Sequence, residues 1–274
     1  MRWPAALAAV ALLGASCTRT NVRVSSQSDI PSREHMTREV VSITTADDVQ
    51  ISGHWYPAAE PVGWVLLLHM MPATKESYVA LAETLQQRGI ASLVIDFRGH
   101  GESQGGPKGY ERFTDAEQQA KIRDVEAAYG WLADHVPSSG NPYDTLNPKL
   151  VLVGASIGAN LALQFARDNP TIAGSVLLSP GLDYRGIQTA AFARTLLDQQ
   201  ARNTDLPKMS MLLAAGGADD DYSTETIRQL AAILGSRATV RTFASAGHGT
   251  TMFDREPKFL TEVVSWIDAT VRTR

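Results

Sequence analysis

The chain has 274 residues, 44% hydrophobic and 20% charged, which is enough material for one large domain with a substantial buried core. A formal net charge of −4 and the lack of any basic run argue against nucleic acid as a partner. One cysteine, Cys17, excludes an intramolecular disulfide, and no internal repeat or long low-complexity run is visible.

Met1-Arg2 forms a short positive start, Trp3 to Ala15 is apolar, and Leu13-Gly14-Ala15-Ser16-Cys17 precedes a polar stretch. An apolar run this short does not span a bilayer, so residues 1–16 read as a secretory signal peptide. Small residues just before a cysteine resemble the lipobox of bacterial lipoproteins, although Gly14 stands where that family prefers Leu. The resemblance implies acylation at Cys17 and membrane anchoring through the lipidated residue. The protein would then sit in the bacterial cell envelope, with its domain in the periplasm or outside the cell; plain secretion is the alternative. Residues 17–38 are polar and rich in Ser and Arg, without apolar periodicity, and read as a flexible tether. The domain is expected over 39–274.

Val40 to Thr45 and Val49 to Tyr56 alternate around Ala46-Asp47-Asp48, a hairpin signal. Gly63 to His69 and Ala91 to Asp96 are continuous apolar runs, as buried strands require, and Ser77 to Arg88 between them has helical spacing. A helix follows from about Thr114 to His135. Further strands are expected at 174–178, 209–215 and 238–243, with helices at 224–234 and 257–271 and a helix-rich insertion over 185–202. Strands and helices alternate after the hairpin, which predicts an α/β fold with a mainly parallel sheet covered on both faces.

The most informative stretch runs from Lys149 to Ala162. Apolar, β-favouring residues lead into Gly154-Ala155-Ser156-Ile157-Gly158 and then into a small-residue segment of helical period. In that strand–turn–helix setting G-x-S-x-G is a nucleophile elbow, which holds the serine in a strained turn above a helix N-terminus. A serine hydroxyl needs a base, normally a histidine held by a carboxylate. Of six histidines only His248, in Gly247-His248-Gly249, follows the elbow.

With His69-Met70-Met71, the run from Asp96 to Ser103, the Ser156 elbow, the acidic turn at 219–221 and the Gly-His-Gly loop, the chain from about Val40 to Arg274 resembles the α/β-hydrolase superfamily. Its lid-poor esterases and serine aminopeptidase-like members are the nearest likeness. The resemblance implies a small or absent lid and no cofactor. The triad order Ser, acid, His makes Ser156 the nucleophile and His248 the base. The family's G-x-x-D spacing gives Asp219 when counted from Gly216 and Asp220 when counted from Gly217; Asp219 is preferred, with Asp220 as the alternative acid. The oxyanion hole would use the backbone N–H groups of Ile157 and, by resemblance, Met71. The sequence has His-Met where the family usually has His-Gly.

His69 is expected to support its loop rather than move protons. The charged segment Asp96, Arg98, His100 and Glu102 is expected to be structural, and no metal-ligand spacing occurs. Between 179 and 207 there is room for one or two short helices, with Ala191, Phe192, Leu196 and Leu197 placed either along an acyl pocket or simply against the domain. The expected activity is cleavage of a carboxylic ester, or of an amide or thioester, in a small-molecule or short-peptide substrate through an acyl-enzyme. Acyl transfer by the same triad and a non-catalytic surface-binding lipoprotein are the alternatives.

Overall fold

The computed structural model describes residues 38–107, 109–138 and 140–273. Cys17, the signal segment and the tether as far as residue 37 lie outside the described residues.

The hairpin forms β1 (Glu39–Thr44) and β2 (Gln50–Tyr56), closed by a turn in which Asp48 takes a positive φ of 60°. Then follow β3 (Gly63–Leu68), α1 (Val79–Gln87), β4 (Ile90–Ile95), α2 (Asp115–Gln119), α3 (Ile122–Asp134) and α4 (Pro142–Leu146). The elbow joins β5 (Leu150–Ala155) to α5 (Ile157–Asp168), and β6 (Gly174–Leu178) comes next. A two-residue hairpin, β7 (Asp183–Tyr184) and β8 (Ile187–Gln188), leads into α6 (Thr189–Arg202). The chain closes with β9 (Ser210–Ala215), α7 (Asp221–Leu234), β10 (Ala238–Thr242), α8 (Thr251–Arg255) and α9 (Pro257–Arg272).

The main sheet has the order β1-β2-β4-β3-β5-β6-β9-β10, parallel from β4 to β10 and antiparallel at β1 and β2. Alternation within β3 shows how the sheet is sealed. Trp64, Leu66 and Leu68 face a core with α3, α5, α6 and α7, whereas Val65 and Leu67 face a second core with α1, α8 and α9. Every residue of β3, β4, β5 and β6 is buried, so these strands read as unbroken apolar runs rather than alternating ones. This is the α/β-hydrolase fold.

One local expectation is corrected. The helix expected over 114–135 is two helices, α2 and α3. Between them Lys121 N–H and Asp124 N–H bond three residues back, to Gln118 and Lys121, and the tightened turn accompanies burial of both side chains. The insertion after β6 holds only one full helix, α6, behind the small β7–β8 hairpin. Leu196 of α6 lies in the core, Phe192 and Leu197 pack against it, and the Arg167 guanidinium covers the Phe192 ring at 4.5 Å. These α6 side chains pack on the domain, the second of the two placements expected for them.

Candidate active site

Ser156 sits between β5 and α5 with φ 51° and ψ −118°, a conformation that side chains rarely adopt. The two elbow glycines are dictated by close backbone approach. A Cβ on Gly154 would lie 2.2 Å from the Gly158 carbonyl oxygen, and one on Gly158 would lie 2.2 Å from that of Leu68. The start of α5 is therefore pressed against the end of β3. That contact brings the first turn of α5, which includes the Ile157 N–H without an intrahelical partner, against the chain at Leu68 and His69. The Ser156 N–H donates to the Leu178 carbonyl at 2.8 Å, tying the elbow to the end of β6.

His69 pins the Met70-Met71 loop. One ring nitrogen, Nδ1, lies 2.7 Å from the Met70 carbonyl and the other, Nε2, accepts the Phe97 N–H at 3.0 Å. Nδ1 therefore carries the proton, the ring is neutral, and burial holds its pKa well below the usual histidine range. Both nitrogens are used by the backbone, so the ring is a fixture of the loop.

His248 and the acid are brought together by a backbone zipper between the loops that follow β9 and β10. Ala246 N–H donates to Gly216 and Ala218 N–H to Ala244, at 2.8 and 3.0 Å. The fit is so close that a Cβ on Gly217 would meet the Phe243 carbonyl at 1.8 Å, and the φ of Gly217 is 75°. From Gly217 the chain turns once more, Asp220 N–H bonding the Gly217 carbonyl at 2.8 Å, and α7 begins.

This geometry corrects the preferred acid. His248 Nδ1 lies 3.0 Å from Asp220 Oδ1, and the Asp220 side chain is almost wholly buried. Asp219 points away: its Oδ2 accepts from the Ser245 hydroxyl and from Arg255, each at 2.5 Å, on the exposed rim. The left-handed residue that opens the turn is Gly217, so the spacing must be counted from the second glycine of the pair. Burial disfavours the Asp220 carboxylate, but the His248 bond and the nearby hydroxyls of Ser179 and Ser223 outweigh it and leave its pKa below the ordinary carboxylate range. Asp220 is thus a carboxylate at neutral pH, facing Nδ1 of His248.

The His248 loop in turn rests on the elbow. A Cβ on Gly249 would lie 2.4 Å from the Met70 sulfur and 3.3 Å from the Ala155 Cβ. Serine, imidazole, carboxylate and the Met70-Met71 loop therefore converge at the carboxyl end of β3, β5, β6 and β9.

Around this centre lie buried charges that composition did not reveal. Lys75 donates to Asp96 Oδ2 and Glu102 Oε2, both at 2.7 Å. Arg98 bonds Asp124 through Nε at 2.8 Å and grips both oxygens of Asp47 in the β1–β2 turn. The run from Asp96 to Glu102 thus braces the loops, and among the described residues no group of three His, Cys, Asp or Glu side chains is arranged to hold a metal. Lys121 is wholly buried, 2.7 Å from Gln118 Oε1, 3.3 Å from the Met71 sulfur and 4.2 Å from the centre of the Phe113 ring. Burial pushes its pKa down to about 7.

Comparison with known proteins agrees with this fold. Residues 59–206 match the family described as serine aminopeptidase, S33. The chain is 28% identical over 151 residues to polyketide transferase ATR5 of Stachybotrys chlorohalonatus, covering 54% of this chain and 46% of that one. It is 28% identical over 133 residues to the thermostable monoacylglycerol lipase of Bacillus sp. strain H-257, covering 48% and 46%. An uncharacterized protein of Mycobacterium tuberculosis is 26% identical over 243 residues, covering 82% and 79%. The chain thus spans less than half the length of the transferase and the lipase that it matches. Among solved structures, the Pyrococcus furiosus esterase Pf2001 superposes with a TM-score of 0.65 at 20% identity, over 86% of this chain and 93% of that one. The esterase EaEST of Exiguobacterium antarcticum gives 0.59 at 15% identity, over 84% and 99%. At these identities the structural likeness speaks to the fold.

Proposed function

The chain belongs to the serine aminopeptidase S33 family of α/β hydrolases, and on that premise we propose that it cleaves carboxylic esters through an acyl-enzyme, with Ser156, His248 and Asp220 as its triad. One observation carries the reading: a serine in a strained elbow lies beside the loop of a histidine whose Nδ1 is held by a buried carboxylate. Asp220 keeps the proton of the neutral ring on Nδ1, which leaves Nε2 as the base. Ser156 attacks the ester carbonyl while Nε2 takes its proton, and the oxygen that gains negative charge is met by the N–H groups of Ile157 and Met71. The imidazolium then protonates the leaving alcohol. Water repeats the sequence on the acyl-enzyme and restores Ser156.

The esterase neighbours and the monoacylglycerol lipase relative support an ester over an amide, and the small insertion after β6 supports an open cleft suited to small-molecule or short-peptide esters. The polyketide transferase relative supports a second reading, in which an acceptor alcohol replaces water. A panel of p-nitrophenyl esters and aminoacyl p-nitroanilides, each run with and without added alcohol, tests both. Ester turnover that is at least tenfold faster than anilide turnover, with no transfer product, fits the proposal. Dominant anilide cleavage or dominant transfer overturns it.

The lipobox-like Leu13-Gly14-Ala15-Ser16-Cys17 supports lipid attachment at Cys17 and a place at a bacterial envelope membrane. Intact-mass spectrometry of the native protein tests this: a mature chain starting at Cys17 with added acyl mass is expected, and an unmodified chain retaining Met1 would contradict it.

A further inference from the structure

We propose that Ser179 is a positioning residue of this site, its hydroxyl tying the base loop to the end of β6; the proposal rests on the triad reading above. Ser179 directly follows Leu178, whose carbonyl holds the Ser156 N–H. Its own N–H donates to the Ala214 carbonyl at 2.8 Å, near the end of the strand that leads to Asp220. Its Oγ accepts the N–H of Gly249, the residue after His248, at 2.8 Å. Ser179 thus touches the strand that leads to Asp220 and the loop that carries His248, while its neighbour Leu178 holds the elbow.

Two further features show that the side chain matters. Ser179 is 1% exposed and has φ 51°, a backbone conformation that glycine adopts without strain and serine does not. The lone pair of the Ser179 Oγ holds the loop from which His248 projects, and with it the imidazole.

Ser179→Gly and Ser179→Ala test this, with glycine chosen because it suits φ 51° and removes only the side chain. Steady-state kinetics with a short p-nitrophenyl ester, the fluorophosphonate labelling rate and the thermal midpoint are measured beside Ser156→Ala. Both Ser179 variants should lose about 10- to 100-fold in kcat with KM within about twofold, and label correspondingly slowly, as misplaced reacting groups do. Ser179→Gly should keep the parent's thermal midpoint. A Ser179→Gly enzyme with full kcat, or one changed only in KM, overturns the proposal and leaves the triad standing if Ser156→Ala neither labels nor turns over. Labelling that persists in Ser156→Ala instead overturns the triad reading itself.

Discussion

Replacing Asp220 by Asn separates the two aspartates that the sequence left in competition. In the structure only Asp220 reaches His248, through Oδ1 at 3.0 Å, and it does so from a nearly closed environment. An amide that turns its NH2 toward Nδ1 makes that nitrogen an acceptor and moves the ring proton to Nε2. The base can then no longer take the Ser156 proton. A wrong tautomer of this kind costs about 10⁴ in kcat in the serine-protease triad, or about 5.5 kcal/mol of transition-state stabilisation. The His248 side chain is 42% exposed and has room to reorient, so a loss of about 10³ to 10⁴ is expected here. Asp219→Asn removes a rim contact with Ser245 and Arg255 and should cost less than about threefold in kcat, with little change in stability. The assay is hydrolysis of a short p-nitrophenyl ester, with circular dichroism to show that both variants are folded. A Asp219→Asn enzyme more impaired than Asp220→Asn would refute the geometric assignment.

Two buried lysines give further tests. Lys75→Met strands the buried Asp96 carboxylate without its cation and should destabilise the protein by about 3–5 kcal/mol, which urea denaturation reads directly; a loss below about 1 kcal/mol would show that the pair does not brace the site. Lys121 has a folded pKa near 7 against about 10.4 in the unfolded chain, so the cost of burying its charge is fully present below pH 7 and fades as pH rises toward 10.4. The stability of Lys121→Met relative to the parent should therefore be greater at pH 6 than at pH 9.5, by on the order of 3 kcal/mol, and an equal difference at both pH values would contradict the buried, neutralising lysine.

The parts of the fold governed by local pattern were legible. Buried parallel strands announce themselves as unbroken apolar runs such as Trp64 to Leu68, and the elbow by two glycines whose Cβ atoms have no room. The acid was not legible to one residue. The choice between Asp219 and Asp220 depends on which glycine takes the left-handed turn, and a backbone bridge from Gly217 to Ser245, distant in sequence, decides it. The break between α2 and α3 was hidden for a similar reason. Its residues all tolerate helix, and what accompanies the tightened turn is the inward burial of Lys121 and the tertiary bond that Asp124 accepts from the Arg98 N–H. Asp47 read as a turn residue, yet it also anchors Arg98 and Arg123 from far along the chain. Ser179 carried only a faint signal, a small polar residue at the carboxyl end of a buried strand, where sites on such sheets gather.

The central claim is that Ser156 is the nucleophile of an ester hydrolase, and active-site labelling tests it most directly. The purified domain is treated with a fluorophosphonate, digested and mapped by mass spectrometry, beside Ser156→Ala carried through the same steps and through ester turnover. The account predicts one adduct, on the peptide containing Ser156, and neither label nor turnover above background in a Ser156→Ala protein that remains folded. An adduct on any other residue, or ester turnover that survives in Ser156→Ala, would contradict it.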